Sequence, residues 1–242
     1  MDAMGDHQNA CRLFQSEFER LSQIAVDLQK KRSQLEAIRD ADTVRREFAS
    51  NSDLHRGVYC PSPVYDLIVG STHRGKLLNR VTARSKSTHT YGFDARRRLL
   101  WCDSIYDNQA VYTEYLIYQD NIVHGITFDW ANSVYIITEE AYQNGRITQY
   151  THCLCPSLDG SAQCVELRRE DYEYDEDGLC RCTWHTYSNP SDLPPDSNKG
   201  IPSSFLMPTY NRSEYRFQRK DGFITSYTSD GITYYPRIRR KA

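Results

Sequence analysis

No apolar run in this 242-residue chain approaches the roughly 18 residues needed to cross a bilayer as a helix. The opening MDAMGDHQNACR has no basic stretch followed by an apolar one, as an export signal would. The expectation is a cytoplasmic protein that makes no membrane contact. In that compartment its eight cysteines are read as reduced thiols packed like small apolar side chains. Glycine and proline are missing between Gly5 and Gly57, and all eighteen tyrosines lie between Tyr59 and Tyr235. The first fifty residues are therefore a different kind of segment from the rest. Also missing are a phosphate loop, G-x-G-x-x-G, H-E-x-x-H and G-x-S-x-G. GSTHRGK at 70–76 has two glycines and a lysine, but at the wrong spacing for a phosphate loop. Cys60, Ser71, His55 and His73 are neighbours in sequence without the orienting third group that a nucleophile needs. No enzyme activity, cofactor or metal is expected.

One further absence concerns charge. From Leu99 to Gly145 there is no Lys or Arg, while Asp103, Asp107, Glu114, Asp120, Asp129, Glu139 and Glu140 all fall there. Arg74–Arg98 carries eight basic residues against Asp94 alone, and Asn211–Ala242 carries eight against Glu214, Asp221 and Asp230. The formal net charge of −2 thus hides a strong segregation along the chain.

What is present is globular in texture, with 39% hydrophobic, 26% charged and 12% aromatic residues. Phe14, Phe18, Leu21, Ala25, Leu28, Leu35 and Ile38 fall at helical spacing. They predict a helix over about 11–48, about 57 Å long at 1.5 Å per residue. Such a helix lies across a wide sheet, bends near Asp40–Thr43, or pairs with another copy as a near-heptad coiled coil. NSDLHRGVYCPSP at 51–63 stops it, so a helical segment 1–49 is set against a β-domain 50–242. VYDLIVG at 64–70 reads as a first buried strand. Beyond residue 77, short alternating runs such as VYTEYLIY at 111–118 are separated by turn chemistry at 94–97, 119–121, 143–145, 175–178 and 219–222. Asn-Gly and Asp-Gly supply the positive φ angles of tight hairpins. A Pro- and Ser-rich loop, about 188–204, precedes the last hairpin. The predicted fold class is α+β, a long N-terminal helix followed by a large, mainly antiparallel sheet of sequential hairpins.

YEYDEDGLCRCTW at 172–184 resembles the YD repeats of bacterial Rhs-type proteins, in which a Tyr-Asp pair precedes a Gly turn and an extended strand. The resemblance implies stacked hairpins and a bacterial origin. The cytosolic, Tyr-rich, acidic texture is similar to that of immunity proteins that neutralise polymorphic toxins.

The residues offer three candidate sites. His152, Cys153, Cys155, Cys164, Cys180, Cys182 and His185 invite a zinc reading. C-x-C on a strand, however, puts two thiols on one face about 6.6 Å apart, which suits a core layer better than chelation. The basic stretch 83–98 and the tail RIRRKA suit nucleic acid in sign, but protection of sheet edges explains them as well. The acidic, Tyr-rich block carries the most weight. Asp107, Tyr112, Glu114, Tyr118, Asp120, Glu139 and Tyr142 are the candidate binding residues, tyrosines giving contact area and carboxylates steering a basic partner. On β-strand alternation, Val111, Thr113, Tyr115 and Ile117 oppose Tyr112, Glu114, Leu116 and Tyr118, and one set is expected to be core. The expected function is a non-enzymatic protein-binding module, an immunity-like inhibitor whose partner is a protein with a basic surface. The alternative is a hairpin-repeat structural protein, a homo-oligomer assembled through its N-terminal helix.

Overall fold

The computed structural model describes residues 3–70, 72–79, 88–154, 166–189, 208–236 and 240–241. Two helices open the chain, α1 (Ala3–Gln29) and α2 (Arg32–Asp42), separated at Lys30–Lys31. The helix is thus interrupted well before Asp40, where the Lys31 amide bonds back to the Leu28 carbonyl at 3.0 Å and Lys31 sits at φ −96° and ψ 8°. The helical segment also ends sooner than expected. Thr43 is extended, with φ −73° and ψ 110°, and Arg45–Ser50 is already a strand, β1. The adjacent β-branched pair Thr43-Val44 disfavours continuation, and pairing of Arg45–Ala49 with Phe93–His89 decides the matter. The boundary expected at residue 49 therefore falls inside β1.

After β1 comes a 3-10 turn, η1 (Gly57–Tyr59), and then α3 (Tyr65–Val69), which replaces the strand expected at 64–70. The helical signals flank the apolar run. The Ser62 hydroxyl accepts from the Tyr65 amide at 3.0 Å, Pro63 comes next, and Gly70 ends the helix at φ +68°.

The remaining strands are β2 (Lys76–Leu77), β3 (His89–Phe93), β4 (Leu99–Tyr106), β5 (Gln109–Gln119), β6 (Ile122–Asp129), β7 (Val134–Gln143) and β8 (Arg146–Leu154). They continue with β9 (Glu166–Asp175), β10 (Gly178–Ser188), β11 (Thr209–Lys220), β12 (Phe223–Ser229), β13 (Ile232–Tyr234) and β14 (Arg240–Lys241). Among the described residues they form one fourteen-stranded sheet, in which β3 to β13 lie side by side in chain order, every pair antiparallel. β1 inserts between β3 and β2 at one end, and β14 pairs with β12 at the other. All five expected turns are hairpin connections. Asn144-Gly145 and Asp221-Gly222 take the paired positive φ angles that match the twist of a two-residue hairpin, as does Asp107-Asn108, which lacks a glycine. The YD-like segment is the β9–β10 hairpin. Of the Pro- and Ser-rich loop, 190–204 lies outside the described residues.

Both faces of the sheet are core, where one had been expected. Phe14, Phe18, Leu21, Ala25 and Leu35 bury against Tyr115, Ile126, Ile137, Cys153, Leu167 and Tyr187 on one face. Burial of each large apolar side chain contributes roughly 2 kcal/mol. The helices cross the strands from end to end: Phe14 meets Tyr210 of β11 at 5.1 Å, and Arg39 stacks on Trp101 of β4 at 3.9 Å. This answers how so long a helix is hidden. Of the apolar stripe that a helix-mediated homo-oligomer would use, Phe14, Phe18, Leu21, Ala25 and Leu35 are covered by the chain's own sheet, while Ile38 is 46% exposed. On the opposite face the 51–70 segment packs with Val64 and Leu67 against Tyr150, Tyr172, Leu179, Cys182, Phe217 and Tyr227. No described helix is long and apolar enough to cross a membrane.

Candidate functional site

The acid-rich block is distributed by strand alternation to both faces, and most of its carboxylates meet arginines from the first 56 residues. On the helix face Arg20 grips Glu139 with two bonds of 2.7 and 2.8 Å, and His124 Nε2 lies 2.9 Å from the same carboxylate. Burial pushes the Glu139 carboxyl up, but His124 and Arg20 more than offset it and bring it to about 2. Arg39 holds Asp103 at 2.7 and 3.1 Å, and Thr113 donates to the same carboxylate at 2.8 Å.

On the opposite face the centre is Arg56, 3% exposed and at φ +56°. Its Nε and Nη2 donate to Glu114 at 2.8 and 2.7 Å, Nη2 also donates to Thr138 Oγ1 at 2.8 Å, and Nη1 donates to Glu140. Tyr142 completes Glu140 by donating at 2.6 Å. His55 Nε2 lies 3.0 Å from Glu114, and its Nδ1 lies 3.1 Å from the Tyr150 hydroxyl. Burial opposes the Glu114 charge, but Arg56 and then His55 drive its pKa well below the carboxylate range. His152, edge-on to His55 at 5.5 Å, is kept neutral chiefly by burial. Gly125 makes this packing feasible, because a Cβ there would collide with Glu114, Arg56 and Thr138. A second buried set lies alongside, with Arg168 at 3.2 Å from Glu170 and Ser62 and Tyr172 donating to Glu170 at 2.5 and 2.6 Å. Together they clamp the 51–70 segment to the sheet.

Beside the clamp, where β4 turns into β5 and β6 into β7, a cleft of about 450 Å³ opens. Tyr106, Tyr112 and Tyr135 wall it, with His55, His89 and Thr127 further in. The Tyr112 and Tyr135 rings stack at 4.7 Å. At this end of the sheet, Tyr106 on one hairpin end and Trp130 on the next are 76% and 80% exposed. Two strand spacings, about 10 Å, separate these hairpins.

The seven candidate binding residues are therefore not one surface. Asp107 and Tyr112 lie at the cleft end, while Tyr118, Asp120 and Tyr142 lie towards the other. Glu114 and Glu139 face opposite sides of the sheet, both buried and ion-paired within the chain. The reason is the period-two alternation, which sends 112, 114 and 118 to one face and hides 139 under α1. Sequence reasoning missed Arg56, passed over His55 as only a sequence neighbour of Cys60, and missed Trp130. A basic pair inside a Gly- and Pro-punctuated stretch, facing a block with no Lys or Arg, was the available signal for the first two. The zinc grouping is not assembled from the described residues: Cys153 faces the helices and Cys182 the 51–70 segment, while Cys155 and Cys164 lie outside them. Among the described residues no three His, Cys, Asp or Glu side chains converge as metal ligands would.

The fold and site define an α+β protein with one meander sheet covered on both faces and a tyrosine-walled cleft at one end. No protein-family model matches the sequence, and no curated protein matches it.

Proposed function

We propose that the protein is a non-enzymatic protein-binding module of the cytoplasm. It docks the cleft end of its sheet on a partner with a basic surface and acts by occlusion, as an immunity-type inhibitor does. The observation that carries this reading is the exposure of Tyr106 and Trp130 on neighbouring hairpin ends, next to Asp107. Large aromatic side chains on rigid hairpins give contact area at low entropic cost, and interface hot spots are enriched in them. Among the described residues both faces of the sheet carry a buried core, and the hairpin ends present exposed aromatics beyond it. His55 belongs to the clamp: its Nδ1 lies 3.1 Å from the buried Tyr150 hydroxyl and its Nε2 lies 3.0 Å from Glu114, a carboxylate that Arg56 already holds.

The test is affinity capture from the native host at low and high salt, with the Tyr106→Ala/Trp130→Ala variant run in parallel. Both side chains are exposed, so the variant should keep its circular dichroism and melting point. One basic partner, weakened by salt and lost in the variant, is the expected result. Retention of that partner by the variant, or salt-insensitive self-association alone, would refute the proposal.

A further inference from the structure

We infer that the cleft receives an arginine side chain of the partner, its guanidinium lying against the tyrosine rings and donating to the Thr127 hydroxyl and the Asp53 carboxylate. This rests on the docking reading above and names what the partner inserts.

Thr127 is 4% exposed, its hydroxyl is buried at the cleft, and that oxygen has no hydrogen-bond partner among the described residues. Buried polar groups are nearly always paired, so an unpaired one that lines a cleft points to a donor or acceptor from outside. The second observation is aromatic. Elsewhere in this molecule arginines repeatedly lie over rings: Arg39 on Trp101 at 3.9 Å, Arg168 on Tyr65 at 4.4 Å, Arg45 on Phe93 at 4.5 Å and Arg98 on Tyr118 at 4.8 Å. Among the described residues no cation lies over Tyr106, Tyr112 or Tyr135, although Tyr112 and Tyr135, stacked on each other, each have a second face. The third is charge. Among the described residues the cleft lining has no Lys or Arg and includes Asp53, whose carboxylate accepts from the His73 amide and has lone pairs left for a second donor. Asp107 and Asp129 stand on the adjoining hairpins. Burial, and then His55, hold His89 down at about 4, so this wall residue adds no positive charge at neutral pH.

Arginine suits these features better than lysine. Its guanidinium is planar, stacks on tyrosine faces, is more weakly hydrated, and has enough donors for a hydroxyl and a carboxylate together.

The experiment is a titration of the full chain with N-acetyl-arginine methylamide, followed by NMR, with the lysine and norleucine counterparts for comparison. Saturable shifts centred on Tyr112, Thr127 and Tyr135 are expected, with arginine binding more tightly than lysine and norleucine not binding. Asp53→Asn, Thr127→Val and Tyr112→Leu should each weaken the arginine probe by roughly fivefold or more while the circular dichroism of the folded protein is retained. The absence of saturable shifts, equal binding of lysine or norleucine, or full affinity in Thr127→Val and Asp53→Asn would overturn the inference. The probe needs no partner. A bound probe with partner capture unchanged in the Tyr106→Ala/Trp130→Ala variant would sink the docking reading alone, and an unbound probe with capture lost would sink this inference alone.

Discussion

Replacing Arg56 by Met should lower the stability of the fold by about 4 kcal/mol, because removing one partner of a buried ion pair leaves the other charge uncompensated at roughly 3–5 kcal/mol. Two carboxylates share this guanidinium, but each keeps a second partner. Glu114 retains His55 at 3.0 Å, and Glu140 retains the Tyr142 hydroxyl at 2.6 Å, so the middle of that range is appropriate. Met sits at the same positive φ as Arg and fills a similar volume, so neither backbone strain nor a large cavity confuses the comparison. In a chain of this size about 4 kcal/mol corresponds to a fall in melting temperature of about 8–16 °C. Urea unfolding followed by tryptophan fluorescence, with calorimetry alongside, measures both quantities. The Arg56→Met/Glu114→Gln/Glu140→Gln variant should recover at least half of the loss, since no charge is then left unpaired. Acidification supplies a further check. Unpaired carboxylates take up protons readily, so the deficit of Arg56→Met should shrink between pH 7 and pH 5. In the parent protein the folded-state pKa of Glu114 is depressed, so its contribution is full above the ordinary carboxylate range and is lost only as the pH falls below it. An Arg56→Met protein that melts within about 2 °C of the parent, or a triple variant as unstable as the single one, would show that the clamp is not held by this pair.

Gly125→Ala should destabilise the fold by about 1–3 kcal/mol, because its Cβ would occupy space held by Glu114, Arg56 and Thr138; an unchanged urea midpoint would contradict this. Leu21→Ala, in a side chain with 0% exposure between α1 and the sheet, should remove about 3 kcal/mol and leave capture of a partner at the cleft end intact once the protein is folded. The parent protein should lose stability as the pH falls from about 6.5 to 4. Over that window the unfolded chain takes a proton on His89 and the folded chain resists it until about 4, a difference of about 3 kcal/mol in total. His89→Gln should flatten this part of the profile, and urea midpoints at pH 7, 6 and 5 that coincide for the parent would refute it. A further loss should come as the pH drops from the ordinary carboxylate range towards 2 and Glu139 is protonated.

Much of the architecture was legible because its signals are local. The Phe14–Ile38 spacing selects a helix, VYTEYLIY selects a strand, and Asn-Gly or Asp-Gly sets the φ angles of a hairpin before any distant contact forms. The α+β class and the five turns arise from such short-range rules. At 64–70 the same rules were misapplied: an apolar run suits a buried strand or a short helix alike, and the flanking Ser62-Pro63 and Gly70 carried the decision. The strand at 45–50 had no local signal, since its extended form depends on pairing with β3, some forty residues away.

The charge segregation shows where reading along the chain stops. The absence of Lys and Arg from 99–145 is a sequence fact, but its meaning lies in which arginines the fold delivers. Arg20 and Arg39 come to the block on one face of the sheet and Arg56 on the other, turning Asp103, Glu114, Glu139 and Glu140 from apparent surface acids into internal counter-ions. Strand alternation could be read in advance, but not that both faces would carry a core, since that depends on the path of a helix and a loop far from the strands in sequence, 196 residues apart in the case of Phe14 and Tyr210. Composition and periodicity determined the elements. Tertiary structure alone decided which tyrosines are core, which carboxylates are paired, and that Tyr106, Trp130 and a tyrosine-walled cleft meet at one end of the sheet, because only long-range packing places side chains from separate hairpins in one environment.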